Sequence, residues 1–90
     1  MILHIIQADD TALTTCLRYM AEQDTLLLCG DAVNLLLLVK WQQALAQRNV
    51  LLLQDDVEAR GLGDLLANYC GITQQGFVQQ TLLNSKVITW

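Results

Sequence analysis

Ninety residues make one small domain, 1–90, because about 100 to 200 residues are usual per domain and a second core has no room. The net charge is -4, and the five cations Arg18, Lys40, Arg48, Arg60 and Lys86 are scattered along the chain, which speaks against nucleic-acid binding through clustered phosphate contacts. Hydrophobic residues reach 53% against 16% charged, with a mean hydropathy of +0.35, a composition weighted toward obligate association with other subunits.

In chain order, Ile2 to Ile6 is an aliphatic run broken only by His4 and reads as an interior strand. Asp9, Asp10 and Thr11 offer N-cap oxygens to a helix whose Ala12, Leu13, Cys16, Leu17 and Met20 form one apolar stripe, running to about Gln23. Thr25 to Cys29 is a second strand, apolar enough to be covered on both faces as in a parallel sheet. Gly30 turns the chain, and Asp31 is placed to accept from the first free amides of the next helix.

That helix, from Ala32 to Ala46 and ending near Gln47, is the odd element. Projected at 100° per residue, Asn34, Lys40, Gln42 and Gln43 scatter around the wheel and never make a polar face. Such a helix needs cover on more than one side, which a chain this short cannot supply. A neighbouring subunit is therefore expected over Leu35, Leu36, Leu37, Leu38 and Trp41. Asp31, Asn34 and Lys40 interrupt the same stretch before about 20 apolar residues accumulate, so no membrane span is expected.

Arg48-Asn49 closes the helix and Val50 to Leu53 forms a third strand. Asp55, Asp56 and Glu58 open a short helical segment that Gly61 and Gly63 break after Arg60. Tyr69 to Ile72 is a very short fourth strand, Thr73 caps a last helix in which Phe77, Val78, Thr81 and Leu82 share a face, and Lys86 to Trp90 is a final strand. The reading is α/β: a small three-layer αβα unit on a mostly parallel sheet of 4–5 strands, joined by right-handed crossovers. The start, Met1-Ile2-Leu3-His4, lacks a basic segment and a small-residue cleavage pattern, so a cytoplasmic location is expected.

Chemistry-bearing residues are few. Cys16, Cys29 and Cys70 are three in number with no CxxC spacing and one histidine beside them, so neither a disulfide framework nor a zinc site is indicated. Cys29 stands where ligands gather in open parallel sheets, beyond a strand's carboxyl end, yet a small buried hydrophobe is the plainer account. Cys16 lies on an apolar stripe past the first helical turn, where burial raises a thiol's pKa. His4 inside a strand reads as a hydrogen-bonded structural imidazole rather than a base. Neither GxGxxG nor a Walker lysine motif is present, and no cofactor is implied. Arg60-Gly61 beside Asp55, Asp56 and Glu58 is either a local ion pair or an interface anchor.

Leu3-His4, Leu26-Leu27-Leu28 leading to Asp31 and Val33, Asp56 followed by Ala59-Arg60-Gly61-Leu62, Phe77-Val78 with Thr81, and Trp90 together resemble the TusB/DsrH family of sulfur-relay proteins, of the DsrEFH-like fold. The resemblance covers nearly the whole chain, and its specific parts are the Asp-x-x-Ala-Arg-Gly stretch and the terminal Trp. It implies a subunit of a TusBCD-type complex, with TusC-like and TusD-like partners in a heterohexamer, that takes persulfide sulfur from TusA toward TusE for 2-thiolation of the tRNA wobble uridine. It also implies that the principal sulfur carrier belongs to the TusD-like chain and that this subunit is non-catalytic. Related DsrH chains carry a cysteine in helix one at the position of Cys16, so the resemblance equally admits a DsrH-type subunit of a DsrEFH sulfur-oxidation complex with Cys16 as persulfide carrier. Asp31-Ala32-Val33 departs from the family's Asp-Gly-Val. A flavodoxin-like small-ligand domain rests on fold analogy alone.

Overall fold

The computed structural model describes residues 1–90. In chain order they form β1 (Ile2–Ile6), α1 (Asp10–Tyr19), β2 (Thr25–Leu28), a 3-10 helix (Gly30–Leu37), α2 (Val39–Ala44), β3 (Asn49–Leu53), α3 (Gln54–Ala59), β4 (Cys70–Ile72), α4 (Gln74–Leu83) and β5 (Lys86–Thr89). All five strands are parallel, in the order β4-β3-β2-β1-β5. Three strands, β2, β3 and β4, step outward from β1, and the chain then returns from β4 to lay β5 on the far side of β1. With right-handed crossovers, that return puts α4 on the opposite face from the earlier helices.

The side chains agree. Ile6, Leu26, Leu28 and Leu52 point to one face and pack with Leu13 and Cys16 of α1, Val33 and Leu36 of the 3-10 helix, Trp41 of α2 and Val57 of α3. Leu3, Ile5 and Leu27 point to the other, where Phe77 of α4 meets them. The sheet thus lies between helical layers, as an aliphatic parallel sheet must.

Helix α1 starts where the sequence places it, with Asp9 Oδ1 accepting from Ala12 N at 3.1 Å. It stops at Tyr19, earlier than Gln23, because Met20 turns extended while its N–H still closes on Cys16 O. Helix α4 is capped by Thr73 Oγ1, which accepts from Gly76 N at 3.0 Å. Gly30 has φ +55, and a Cβ there would sit 2.9 Å from the Gln7 carbonyl oxygen, so glycine is required both for the turn and for the close approach to β1.

The expected helix from Ala32 to Ala46 is two helices. Leu38 is extended, with ψ 130, and separates the 3-10 helix from α2. At three residues per turn every third side chain shares a row. Asp31, Asn34 and Leu37 then line the exposed row, Val33 and Leu36 the buried one, and Ala32 and Leu35 lie between, buried and half-buried. Of the polar residues that scatter at 100° per residue, only Asn34 lies in the 3-10 helix, where it shares the exposed row with Asp31; Lys40, Gln42 and Gln43 belong to α2, so the appearance of one long helix apolar all round disappears. Gln42 Nε2 donates to Leu36 O at 2.8 Å, satisfying a carbonyl near the break. The last helix also differs from expectation. Phe77 and Thr81 are half-covered, whereas Val78 and Leu82 lie on its exposed side.

Candidate functional site

The three cysteines occupy three different environments. Cys16 sits on the inner stripe of α1 with Leu13 and is completely buried. Burial is the main reason its thiol is pushed up to about 11, with the Asp24 carboxylate adding to the rise and Arg48 opposing it. A thiol in that state is a poor nucleophile at neutral pH, since the thiolate is the reactive form. Cys29 stands at the carboxyl end of β2, half-buried, with its Sγ donating to Ile6 O at 3.7 Å. Burial raises its pKa as well, and the nearby Asp56 carboxylate raises it further. Cys70 is exposed on the edge strand β4.

The helix N-terminus beside Cys29 is already occupied. Asp56 Oδ2 accepts from Gly30 N at 2.7 Å, and Arg60 Nη2 donates to Asp31 Oδ1 at 2.8 Å while its Nη1 donates to Asp56 O at 3.1 Å. Asp31 therefore does not cap the helix as expected. Asp56 does so from α3, and Arg60 ties Asp31 and Asp56 together. The spacing of Asp56 and Arg60, four apart on one helical turn, lets one segment grip the turn after β2. The local ion pair is the arrangement found, and it blocks an anion from the place where such folds hold phosphates.

A second network was not assembled by sequence reasoning. His4 Nε2 lies 3.0 Å from Asp24 Oδ2, and Trp90 Nε1 donates to His4 Nδ1 at 3.0 Å. An indole nitrogen is only a donor, so Nδ1 must accept, and the imidazole is neutral with its proton on Nε2 directed at Asp24. Asp24 also accepts from Ile2 N and Ala21 N, each at 3.0 Å. Burial alone would raise the Asp24 pKa, but the bonds from His4, Ala21 and Ile2 together outweigh it and hold the carboxyl below its ordinary value. Both His4 nitrogens are engaged, so this histidine has no lone pair to offer as a base. Tyr19 stacks on Trp90 at 5.8 Å and 15°. The sequence signals were present separately: a histidine inside an apolar strand, a carboxylate at a turn, and a terminal tryptophan.

Of the residues expected at an interface, Leu36 and Trp41 are in the chain's own core and are withdrawn from that role. Their burial follows from the 3-10 register and from the break at Leu38, which turns Trp41 inward beneath Lys40 Nζ, 5.0 Å from its ring centroid. Leu35 is half-buried, Leu37 is 40% exposed and Leu38 49% exposed, with exposed Val39 continuing the patch. Arg60 is half-buried in its ion pairs. Val78, Leu82 and Leu83 of α4 form a further exposed apolar group, which the expectation of one face shared by Phe77, Val78, Thr81 and Leu82 did not distinguish. No three His, Cys, Asp or Glu side chains gather where a metal ion would sit. No helix is long and apolar enough to cross a membrane.

Against known proteins, the family model described as DsrH like protein matches residues 7–87. A solved structure of a conserved protein of unknown function from Bacteroides thetaiotaomicron is similar in fold, with a TM-score of 0.65 and 18% identity, over 99% of this chain and 94% of that one. No match of significance was found among curated proteins.

Proposed function

The chain belongs to the DsrH-like family, whose members serve sulfur relay within hetero-oligomeric assemblies, and from that premise we propose that it is a non-catalytic subunit of a cytoplasmic TusBCD-type complex. In this reading it joins TusC-like and TusD-like chains, and the assembly passes persulfide sulfur from TusA toward TusE for 2-thiolation of the tRNA wobble uridine. The observation that carries the non-catalytic part is the state of Cys16, fully buried with its thiol pushed up to about 11. Cys29 is also raised, and the only imidazole has both nitrogens engaged. Cys70 is exposed, but it lies on the edge strand and not at the family's helix-one cysteine position, and in this reading the chain supports partners that carry the relay's reactive thiol. Two exposed apolar groups support the expectation of partners, one from Leu37 to Val39 and one on α4.

Native mass spectrometry of the chain co-expressed with its TusC-like and TusD-like homologues tests the proposal, and a 2:2:2 complex is the expected result. A stable monomer that ignores both homologues would refute it. The competing reading makes Cys16 the persulfide carrier of a DsrEFH-type complex, which requires α1 to lift from the sheet. An added mass of about 32 Da on Cys16 after exposure to a persulfidated donor, absent in Cys16→Ser, would establish that reading instead.

A further inference from the structure

The two ends of the sheet differ in charge. Asp9, Asp10, Asp31, Asp55, Asp56 and Glu58 all follow the carboxyl ends of strands, with Arg60 the only cation among them. At the opposite end, a cavity of about 690 Å³ lies against the starts of β2, β3 and β4. It is an open hollow, whose lining residues other than Leu45 are exposed or half-buried. Not one of the nine acidic residues lines it, although the chain as a whole is acidic.

The polar part of the wall holds one cation, Arg48, with side-chain amides and hydroxyls around it and no carboxylate. Arg48 gives one N–H to Met20 O at 3.2 Å and has no carboxylate within ion-pair distance, so its remaining N–H groups are free. A second hollow that shares Arg48 does include Glu22, but the two form no ion pair. The Gln80 oxygen is turned to Asn84, which leaves its NH2 group unused, and Asn68 makes no side-chain hydrogen bond. Half-buried Val50, with the edge of the core residue Leu45, supplies a small apolar surface beside these groups, and Cys70 stands on the same wall.

From this lining we infer that the amino-edge cavity binds a small organic carboxylate with an apolar body, its carboxylate on Arg48 and the side-chain amides and its body on Leu45 and Val50. A planar guanidinium with free N–H groups matches a carboxylate's two oxygens. The inference is independent of the sulfur-relay reading and holds for the chain alone or in a complex that leaves this edge open.

Cys70 provides the test, because its alkylation can be compared for two reagents of similar size and different charge. Rates with iodoacetate and iodoacetamide are measured on the folded chain by mass spectrometry of the Cys70 peptide, and their ratio is referred to that of the urea-unfolded chain. The folded chain should favour iodoacetate by about two- to fivefold, the size of an exposed ion pair, despite a net charge that repels anions. Phenylbutyrate should protect Cys70 while phenylbutyramide does not. Both Arg48→Gln and Asn68→Asp should return the ratio to the unfolded value. The second variant guards against a folding defect from loss of the Met20 contact. An unchanged ratio in the wild-type chain, or a raised ratio indifferent to both substitutions, would overturn the inference.

Discussion

The two faces of the sheet are built from the same strands and are stabilised very differently. One is covered by α1, the 3-10 helix, α2 and α3, and its cluster holds fifteen buried residues. The other has α4 alone and three buried residues, with Phe77 the one large apolar side chain that α4 sends to the sheet. Half-covered Gln80, Thr81 and Asn84 occupy much of the rest of that helix's covered side, while Leu82 is 80% exposed. The lesson is that one sheet can hold the fold on one side and leave the other lightly packed. An element whose apolar residues face outward contributes little to the fold of its own chain.

Adjacent leucines on β2 measure this directly. Leu28 and Leu27 are equally buried but point to opposite faces. Leu28→Ala opens a cavity in rigid surroundings and should cost about 4–5 kcal/mol, whereas α4 can settle onto Leu27→Ala, for a cost of about 2–3 kcal/mol. Urea unfolding of the two variants reads the difference, and equal costs would break the comparison.

Asp24→Asn comes next in size. Its new amide sets a donor against a donor at His4 Nε2, for a loss of about 2 kcal/mol, and the network is on the heavily packed face. The pH dependence has a definite sign. Because the folded carboxyl titrates below its ordinary value, the stability it contributes is present above that value and is lost as pH falls through the folded one. The variant's acid-unfolding curve should therefore be flatter than that of the wild type.

Cys16 gives the opposite slope. Its thiol stays protonated in the fold to about 11 against a usual 9.0, so the stability it contributes is complete below pH 9 and is lost as pH rises toward 11. Thermal unfolding followed across that window should show a decline that Cys16→Ala removes.

Much of this face was legible because its residues speak locally. The strands are runs of aliphatic residues, the α1 stripe repeats at helical spacing, and Cys16 lies on that stripe. The 3-10 helix was hidden because Asp31, Asn34 and Leu37 form a row only at three residues per turn, and no residue announces that period. The Asp24-His4-Trp90 network was hidden for another reason. Its bonds join positions 20 and 86 residues apart, and local patterns contain no information on such pairings. The outward turn of Val78 and Leu82 escaped because Phe77, a single aromatic, decides which way α4 faces.

The smallest effect on the chain's own stability should come from Leu82→Asp and Leu37→Asp. Each changes an exposed position and should shift unfolding by less than about 0.5 kcal/mol. If these apolar groups meet the partner subunits, both substitutions should nevertheless abolish the co-expressed complex, since a carboxylate buried without a partner costs several kcal/mol. Size-exclusion chromatography checks both, and an intact complex would mean that the exposed leucines are covered by nothing.

His4 is the chain's only histidine, and its Nε2 proton lies within a sealed bond between two elements brought together from distant parts of the sequence. In a proton spectrum it should give one isolated, slowly exchanging imidazole signal well downfield of the amides. The molecule thus carries its own magnetic label, by which the folding of this subunit can be followed inside a larger assembly without attaching anything to it.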